Sequence, residues 1–352
     1  MSIDFTVYKG SSTGQGIVKA TSHRDLPAGN DVLVKITHSG ICGTEEHLKH
    51  VDMALGHEGV GTVERVGERV KDLKVGDIVG WGSISKTCGS CVHCMAGHDN
   101  YCTTPERYGV NNLDQGSFGS HAIWDASWLF KIPAGIAPEN AAPLMCGGAS
   151  VFAAIDTYNI RPTDRVGVAG IGGLGHLAIQ FLSKMGVRVV AFSSTEAKRE
   201  EALQLGAAEF YATAGVETLA IGPLLDHLLV TTSFLPNWTL RVPFSRLVSR
   251  LLIIDYLVSR YLNIMNAMGS IHVLTLSGMD LVIPAMPVLV KGLTIQGSAA
   301  ASRAVQVKML EFAALHQIKP IIERFPLTKE GVEEAMAKLR DGRIRYRAVL
   351  VA

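Results

Sequence analysis

Six cysteines carry the densest chemistry in this chain of 352 residues. Four form the run Cys88-x2-Cys91-x2-Cys94-x7-Cys102, close enough to wrap one tetrahedral ion on a short lobe, the pattern of a closed structural zinc site. Other readings exist. A disulfide framework suits a small secreted chain, whereas this one is long and its opening, MSIDFTVYKG, lacks the apolar core of a signal segment. A ferredoxin-type cluster calls for a shorter last spacing and a proline after the fourth cysteine, where Thr103 and Thr104 follow here. Chance grouping of buried thiols is the remaining alternative. Structural zinc is the expectation.

Cys42 and Cys146 stand apart from that run. Between them lies Gly56-His57-Glu58-Gly59. A single histidine is more often structural than a ligand, but Cys42, His57 and Cys146 together make a Cys2His set. Three protein ligands leave a fourth position for water or a carbonyl oxygen, and Glu58 is placed to be a supporting or exchanging ligand. From the residues alone, this is one consistent set and no more.

A third constellation is Gly170-Ile171-Gly172-Gly173-Leu174-Gly175, which matches G-x-G-x-x-G after an apolar strand and before a helical pattern. Glycines there permit a tight turn and close approach of a pyrophosphate, and the helix start offers free N–H groups. At the end of the next strand, NAD sites place a carboxylate for the ribose hydroxyls. This chain reads Ser193-Ser194-Thr195-Glu196-Ala197-Lys198-Arg199 instead. Small hydroxyls leave room for a 2′-phosphate and Lys198 and Arg199 add positive charge, which points to NADP(H). The alternatives are that the two cations are a solvated helix face and that Glu196 approaches the ribose.

The elements that must carry these residues fall into two textures. Short strands with glycine-rich turns come first, at Asp31–Thr37, Gly59–Val66 and Gly76–Val79. From Asp164 the grammar changes to strand, turn and helix of a parallel sheet, with strands at Arg165–Ala169 and Val187–Phe192 and helices at Gly173–Met185 and Glu196–Leu205. Helices at Ala304–Leu315 and Lys329–Arg340 and a strand at Arg345–Val351 close the chain. The boundaries expected are 1–150, 151–295 and 296–352. A length of 352 residues with 47% apolar content supports two cores. A net charge of +1 without a basic block argues against nucleic acid or an anionic membrane surface, and no stretch reads as a membrane span. Cytosol is the expected location.

Taken in order, Gly40-Ile41-Cys42-Gly43-Thr44, Gly56–Gly59, the four-cysteine run, Ala142-Pro143-Leu144-Met145-Cys146 and Gly170–Gly175 resemble the zinc-dependent medium-chain alcohol dehydrogenases, in particular the cinnamyl alcohol dehydrogenase-like branch. The Cys2His set is itself the standing example of such a site, so the agreement is a match to a known case. The resemblance covers nearly the whole chain. It implies an α/β protein with a GroES-like β domain holding two zinc ions, a doubly wound Rossmann domain binding NADP(H), and a C-terminal return to the first domain. It also implies a catalytic site in the interdomain cleft, a homodimer, and an aldehyde or alcohol as substrate. Thr44 matches the relay hydroxyl and His47 the histidine that exchanges its proton with solvent. The cofactor implies work mainly as an aldehyde reductase. Thr44-Glu45-Glu46-His47 and the run Pro320–Leu327 resemble fungal reductases of secondary metabolism.

Three features depart from that pattern. Glu45 stands where the family usually has aspartate, and the segment Leu48–Leu55 is short, so aromatic-alcohol specificity is not carried over. The third is an Arg- and Leu-rich segment, residues 239–260, between an expected strand and turn at Leu228–Trp238 and an expected helix at Tyr261–Gly269. Such connections normally take about 2–6 residues. The segment reads as a helical insertion, an extension of the following helix, or an intron retained in frame. The rival functions are an NADPH-binding zinc protein without turnover and a chain disabled by this segment.

Overall fold

A computed structural model describes residues 1–216, 218–232, 260–275 and 280–352. The chain divides into two compact units, Met1–Ala153 with Ala299–Ala352, and Ala154–Ser298.

The first unit is built on antiparallel strands. β1 (Ser2–Lys9) pairs with β2 (Val18–Asp25). β3 (Asp31–Ile41), β4 (Glu58–Val66), β5 (Ile78–Trp81), β8 (His121–Asp125) and β9 (Phe130–Lys131) form a sheet that the chain's last strands complete. A small pair, β6 (Ile84–Lys86) and β7 (Glu106–Arg107), flanks the four-cysteine lobe. The core gathers Ile41, Met53, Leu55, Phe118, Met336 and Leu350, all nearly inaccessible.

Among the described residues, the second unit holds a six-stranded parallel sheet: β10 (Arg165–Ala169), β11 (Arg188–Ser193), β12 (Glu209–Ala212), β13 (Leu225–Val230), β14 (Met265–Val273) and β15 (Thr294–Gly297). Its order is β12-β11-β10-β13-β14-β15. The central strands are buried along their length, which is why they read as apolar runs without alternation. The order reverses between β10 and β13, and crevices at such switch points are where doubly wound sheets take nucleotides. The chain then returns to the first sheet as β16 (Ile322–Pro326) and β17 (Arg347–Val351), the latter antiparallel to β3 with Ala348 opposite Ile41.

Several sequence expectations land within a residue or two, among them β10 and the helix Lys329–Arg340, whose Thr328 cap accepts from Gly331 N–H. One is overturned. The helix expected over Tyr261–Gly269 is a single turn, Arg260–Asn263, and the chain then enters β14. Tyr261, Ile264, Met265 and Met268 have helical spacing, but pairing of Ser270–Val273 with His227–Val230 decides the conformation. Residues 239–259 lie outside the described residues.

Candidate metal centres and nucleotide site

β3 and β4 bring the first centre together. Gly40 pairs with Glu58, so the residue after β3's end, Cys42, and the residue before β4's start, His57, emerge at one end of the sheet. Gly40 has no room for a side chain, because a Cβ there would lie 1.9 Å from Glu58 Oε2. Cys146 arrives on one wide, π-type helical turn, Leu144–Gly148. Ligand atoms of Cys42, His57, Glu58 and Cys146 all lie within 4.8 Å of one another.

His57 is 2% exposed, and its Nδ1 is hydrogen-bonded to the fully buried Glu45 carboxylate. That bond leaves Nε2 as the donor atom toward the cluster. Glu45 also accepts from the Cys42 N–H at 2.9 Å, so one carboxylate orients two of the four groups. Tyr108 covers the imidazole, ring centroids 5.0 Å apart and 28° from parallel, and its hydroxyl accepts from Gly56 N–H at 2.9 Å. Glu58 is fully buried, and both of its oxygens accept from the buried Arg347 guanidinium on β17. Burial pushes the Glu58 carboxyl up to about 7, with Arg347 acting against it. The Cys42 thiol lies well below its ordinary range, chiefly through a hydrogen bond from Cys146, whose own thiol is raised by the same bond and by burial. For His57 burial works downward, but Glu45 and Cys42 together outweigh it and the imidazole is raised. Thr44 Oγ1 lies 3.6 Å from Cys42 Sγ, and His47 is exposed one turn further along the same short helix, Gly43–Leu48.

The second cluster is the cysteine run. Sγ of Cys88 lies 3.5 Å from that of Cys102 and 3.9 Å from that of Cys94, and all four thiols are free. Backbone N–H groups of Ser90 and Cys91 hold Cys88 at about 5, and those of Cys94 and Thr103 hold Cys91 at about 7. Burial and neighbouring thiols push Cys94 up to about 12. Four sulfurs with two already inclined to ionise suit a closed site for a soft dication. Asp99 anchors the lobe by accepting from Arg303 N–H at 3.0 Å and from its guanidinium at 2.5 Å.

The glycine loop leaves β10 with Gly170 at φ +96°, where a Cβ would press on the Thr232 backbone. A Cβ on Gly175 would fall 1.9 Å from Gly170 O, whereas one on Gly172 would meet no atom of the described residues within 4 Å. The loop is thus tight beneath and open above, a cradle that fits a pyrophosphate. Gly173 and Leu174 complete the turn into the helix Gly175–Lys184. At the end of β11, Ser193 is buried while Ser194 and Thr195 are exposed. Lys198 Nζ donates to Ile171 O at 2.5 Å and so lies against the loop. Glu196 is engaged bidentately by Arg199, whose guanidinium sits 4.8 Å from the Phe210 ring centroid.

Residues 28–134 match the model of the alcohol dehydrogenase GroES-like domain. Aldehyde reductase AdhA of a Synechocystis species is 32% identical over 91% of both chains. The chain belongs to the zinc-type medium-chain alcohol dehydrogenases. A second member of the family, NADP-dependent alcohol dehydrogenase C 1 of Mycolicibacterium smegmatis, is 29% identical over 98% of this chain and 97% of its own. The solved structure of a Sorghum bicolor cinnamyl alcohol dehydrogenase superposes with a TM-score of 0.86 at 27% identity, covering 99% of this chain and 98% of that one.

Arg347 and Tyr108 were not singled out from the sequence of this dehydrogenase, nor was the bond from Glu45 to His57. Arg347 did leave a signal, since it opens the otherwise apolar strand Arg347–Val351 and a buried cation requires a partner. Tyr108 left none.

Proposed function

We propose that this protein is an NADP(H)-linked, zinc-dependent alcohol dehydrogenase that works as an aldehyde reductase. The observation that carries the reading is the convergence of Cys42, His57, Glu58 and Cys146 within 4.8 Å, with His57 Nδ1 already engaged by Glu45. When bound, zinc supplies Lewis-acid polarisation of a carbonyl and NADPH supplies the hydride.

The chain's own residues do the rest. Cys42, His57 and Cys146 hold the catalytic ion, while Arg347 keeps Glu58 drawn back as an exchanging fourth group. Cys88, Cys91, Cys94 and Cys102 hold the second ion. Thr44 Oγ1 gives its proton to the product oxygen, and His47 at the exposed end of the same helix restores it from solvent. The glycine loop takes the pyrophosphate. Ser194, Thr195 and Lys198 receive the 2′-phosphate, and Glu196 is kept from the ribose by Arg199. The name of the mycobacterial relative supports NADP, and that of the cyanobacterial relative supports aldehyde reduction. A place in fungal secondary metabolism, acting on a patulin-like aldehyde or lactol, rests on the Thr44–His47 and Pro320–Leu327 segments. A cytosolic homodimer is expected from the family resemblance.

The test follows NADPH and NADH oxidation against a panel of aldehydes and lactols, for the chain as written and for one lacking residues 239–260, with metal content measured alongside. Turnover that prefers NADPH, two zinc ions per chain, and loss of one ion with all turnover in Cys42→Ser are expected. NADPH binding without turnover of any carbonyl in either chain refutes the enzyme reading.

A further inference from the structure

Tyr108 touches the cluster around His57 and lies on the short stretch of chain that leads to the four-cysteine lobe. Its ring lies on His57 at 5.0 Å and its hydroxyl accepts from Gly56 N–H, the peptide unit just before that histidine. Its own N–H donates to Ser83 O at 2.8 Å, closing the near end of the β6–β7 ladder. The far end of that ladder is the four-cysteine lobe. Cys88 comes two residues after β6 and Cys102 four before β7, and the Cys88 N–H points to Cys102 Sγ at 3.4 Å. Cys102 and Tyr108 are six positions apart, a reach of about 20 Å in extended chain.

We propose that Tyr108 is a positioning residue for His57, and that an ion in the four-cysteine lobe holds Tyr108 in place, so that filling the lobe raises the metal affinity of the centre built around His57. The physical reason is the weakness of the ladder. Two strands of three and two residues are not stable by themselves, and an ion binding Cys88 and Cys102 clamps their far end. With the clamp closed, the ring and hydroxyl of Tyr108 fix the plane of the imidazole, which Glu45 holds at only one atom. Groups that orient a ligating histidine are typically worth about 10–100-fold in metal affinity.

The inference rests on reading both clusters as metal sites. Its test is a Co2+ titration of the full-length, metal-free protein against a competing chelator, because all-thiolate and mixed thiolate–imidazole sites give separate absorption bands. In the wild type, the mixed-site bands are expected to grow cooperatively with the all-thiolate bands. In Tyr108→Leu the all-thiolate bands are unchanged, while the mixed site fills independently and needs about 10–100-fold more free Co2+. Tyr108→Phe, which keeps the ring, recovers most of the loss. A general loss of structure would move both sets of bands, and circular dichroism checks each variant for folding. The inference is overturned if Tyr108→Leu fills its mixed site as the wild type does, or if the two wild-type sites fill independently. A wild type that shows all-thiolate bands alone refutes the catalytic-zinc reading instead.

Discussion

Acid should weaken the nucleotide unit through one buried imidazole. His272 on β14 is fully buried, stacked on Tyr158 at 4.9 Å between ring centroids, with the His227 ring centroid 5.3 Å away. His227 Nε2 lies 3.4 Å from Asp164, which favours a proton on that nitrogen and leaves Nδ1 to accept from His272 Nε2–H at 3.1 Å. Among the described residues Nδ1 of His272 then has no partner, so a proton added there would be a buried donor with none of them to receive it. Burial, and secondarily His227, takes His272 from 6.5 to about 3. His227 is itself lowered by burial, with Asp164 and Asp226 pulling the other way. Because the folded value is depressed, the unfolded chain binds the extra proton between about 3 and 6.5. Stability is therefore complete above 6.5 and declines as the pH falls. From about pH 7.5 to about pH 5, this one group removes about 2 kcal/mol. His272→Phe keeps the stack and cannot protonate. Urea unfolding of both proteins across that range, followed by circular dichroism, should show the wild type losing about 2 kcal/mol more than the variant. Parallel pH profiles would refute the reasoning.

Other perturbations have equally definite outcomes. Arg347→Met leaves the buried Glu58 carboxylate without its counter-charge and should cost about 3–5 kcal/mol by denaturant titration, most of it recovered in the Glu58→Gln/Arg347→Met double variant. Gly172→Ala should fold normally but lose NADPH affinity by fluorescence titration, because its methyl enters the open side of the loop. Gly175→Ala should destabilise the second unit outright, since its methyl would meet Gly170 O. Asp99→Ala should cost about 1–3 kcal/mol by stranding Arg303 at the lobe's anchor.

What could be read from the sequence was local. The cysteine spacing, the glycine loop, and the strands and helices with clean periodicity and caps all draw on neighbours within a turn or two. Lys329–Arg340 is bounded by Thr328 and Asp341 much as its sequence suggests. The misread segment was Tyr261–Gly269, where helical spacing of apolar residues coincides with a strand that only β13 and β15 can specify. The supporting residues of the candidate centre were hidden for the same reason. Arg347 meets Glu58 across 289 positions of chain, and Tyr108 reaches His57 by a route that no periodicity records.

That long separation sets an order of events during synthesis. The ends of β3 and β4 place Cys42, His57 and Glu58 early in the chain, but β17, which pairs with the His38–Ile41 end of β3 and brings Arg347, is made roughly 300 residues later. At about 5–20 residues per second on the ribosome, that is about 15–60 s. Through this interval Glu58 has no guanidinium to enter the sheet with, and although β8 can pair with Asp31–Lys35, the His38–Ile41 end of β3 stays unpaired on that side. The parallel sheet of the second unit, by contrast, draws every described strand from Arg165–Gly297 and can close before the first unit does. The metal-binding unit is thus begun first and finished last, and it spends the whole of that time as the part of the nascent chain most in need of protection.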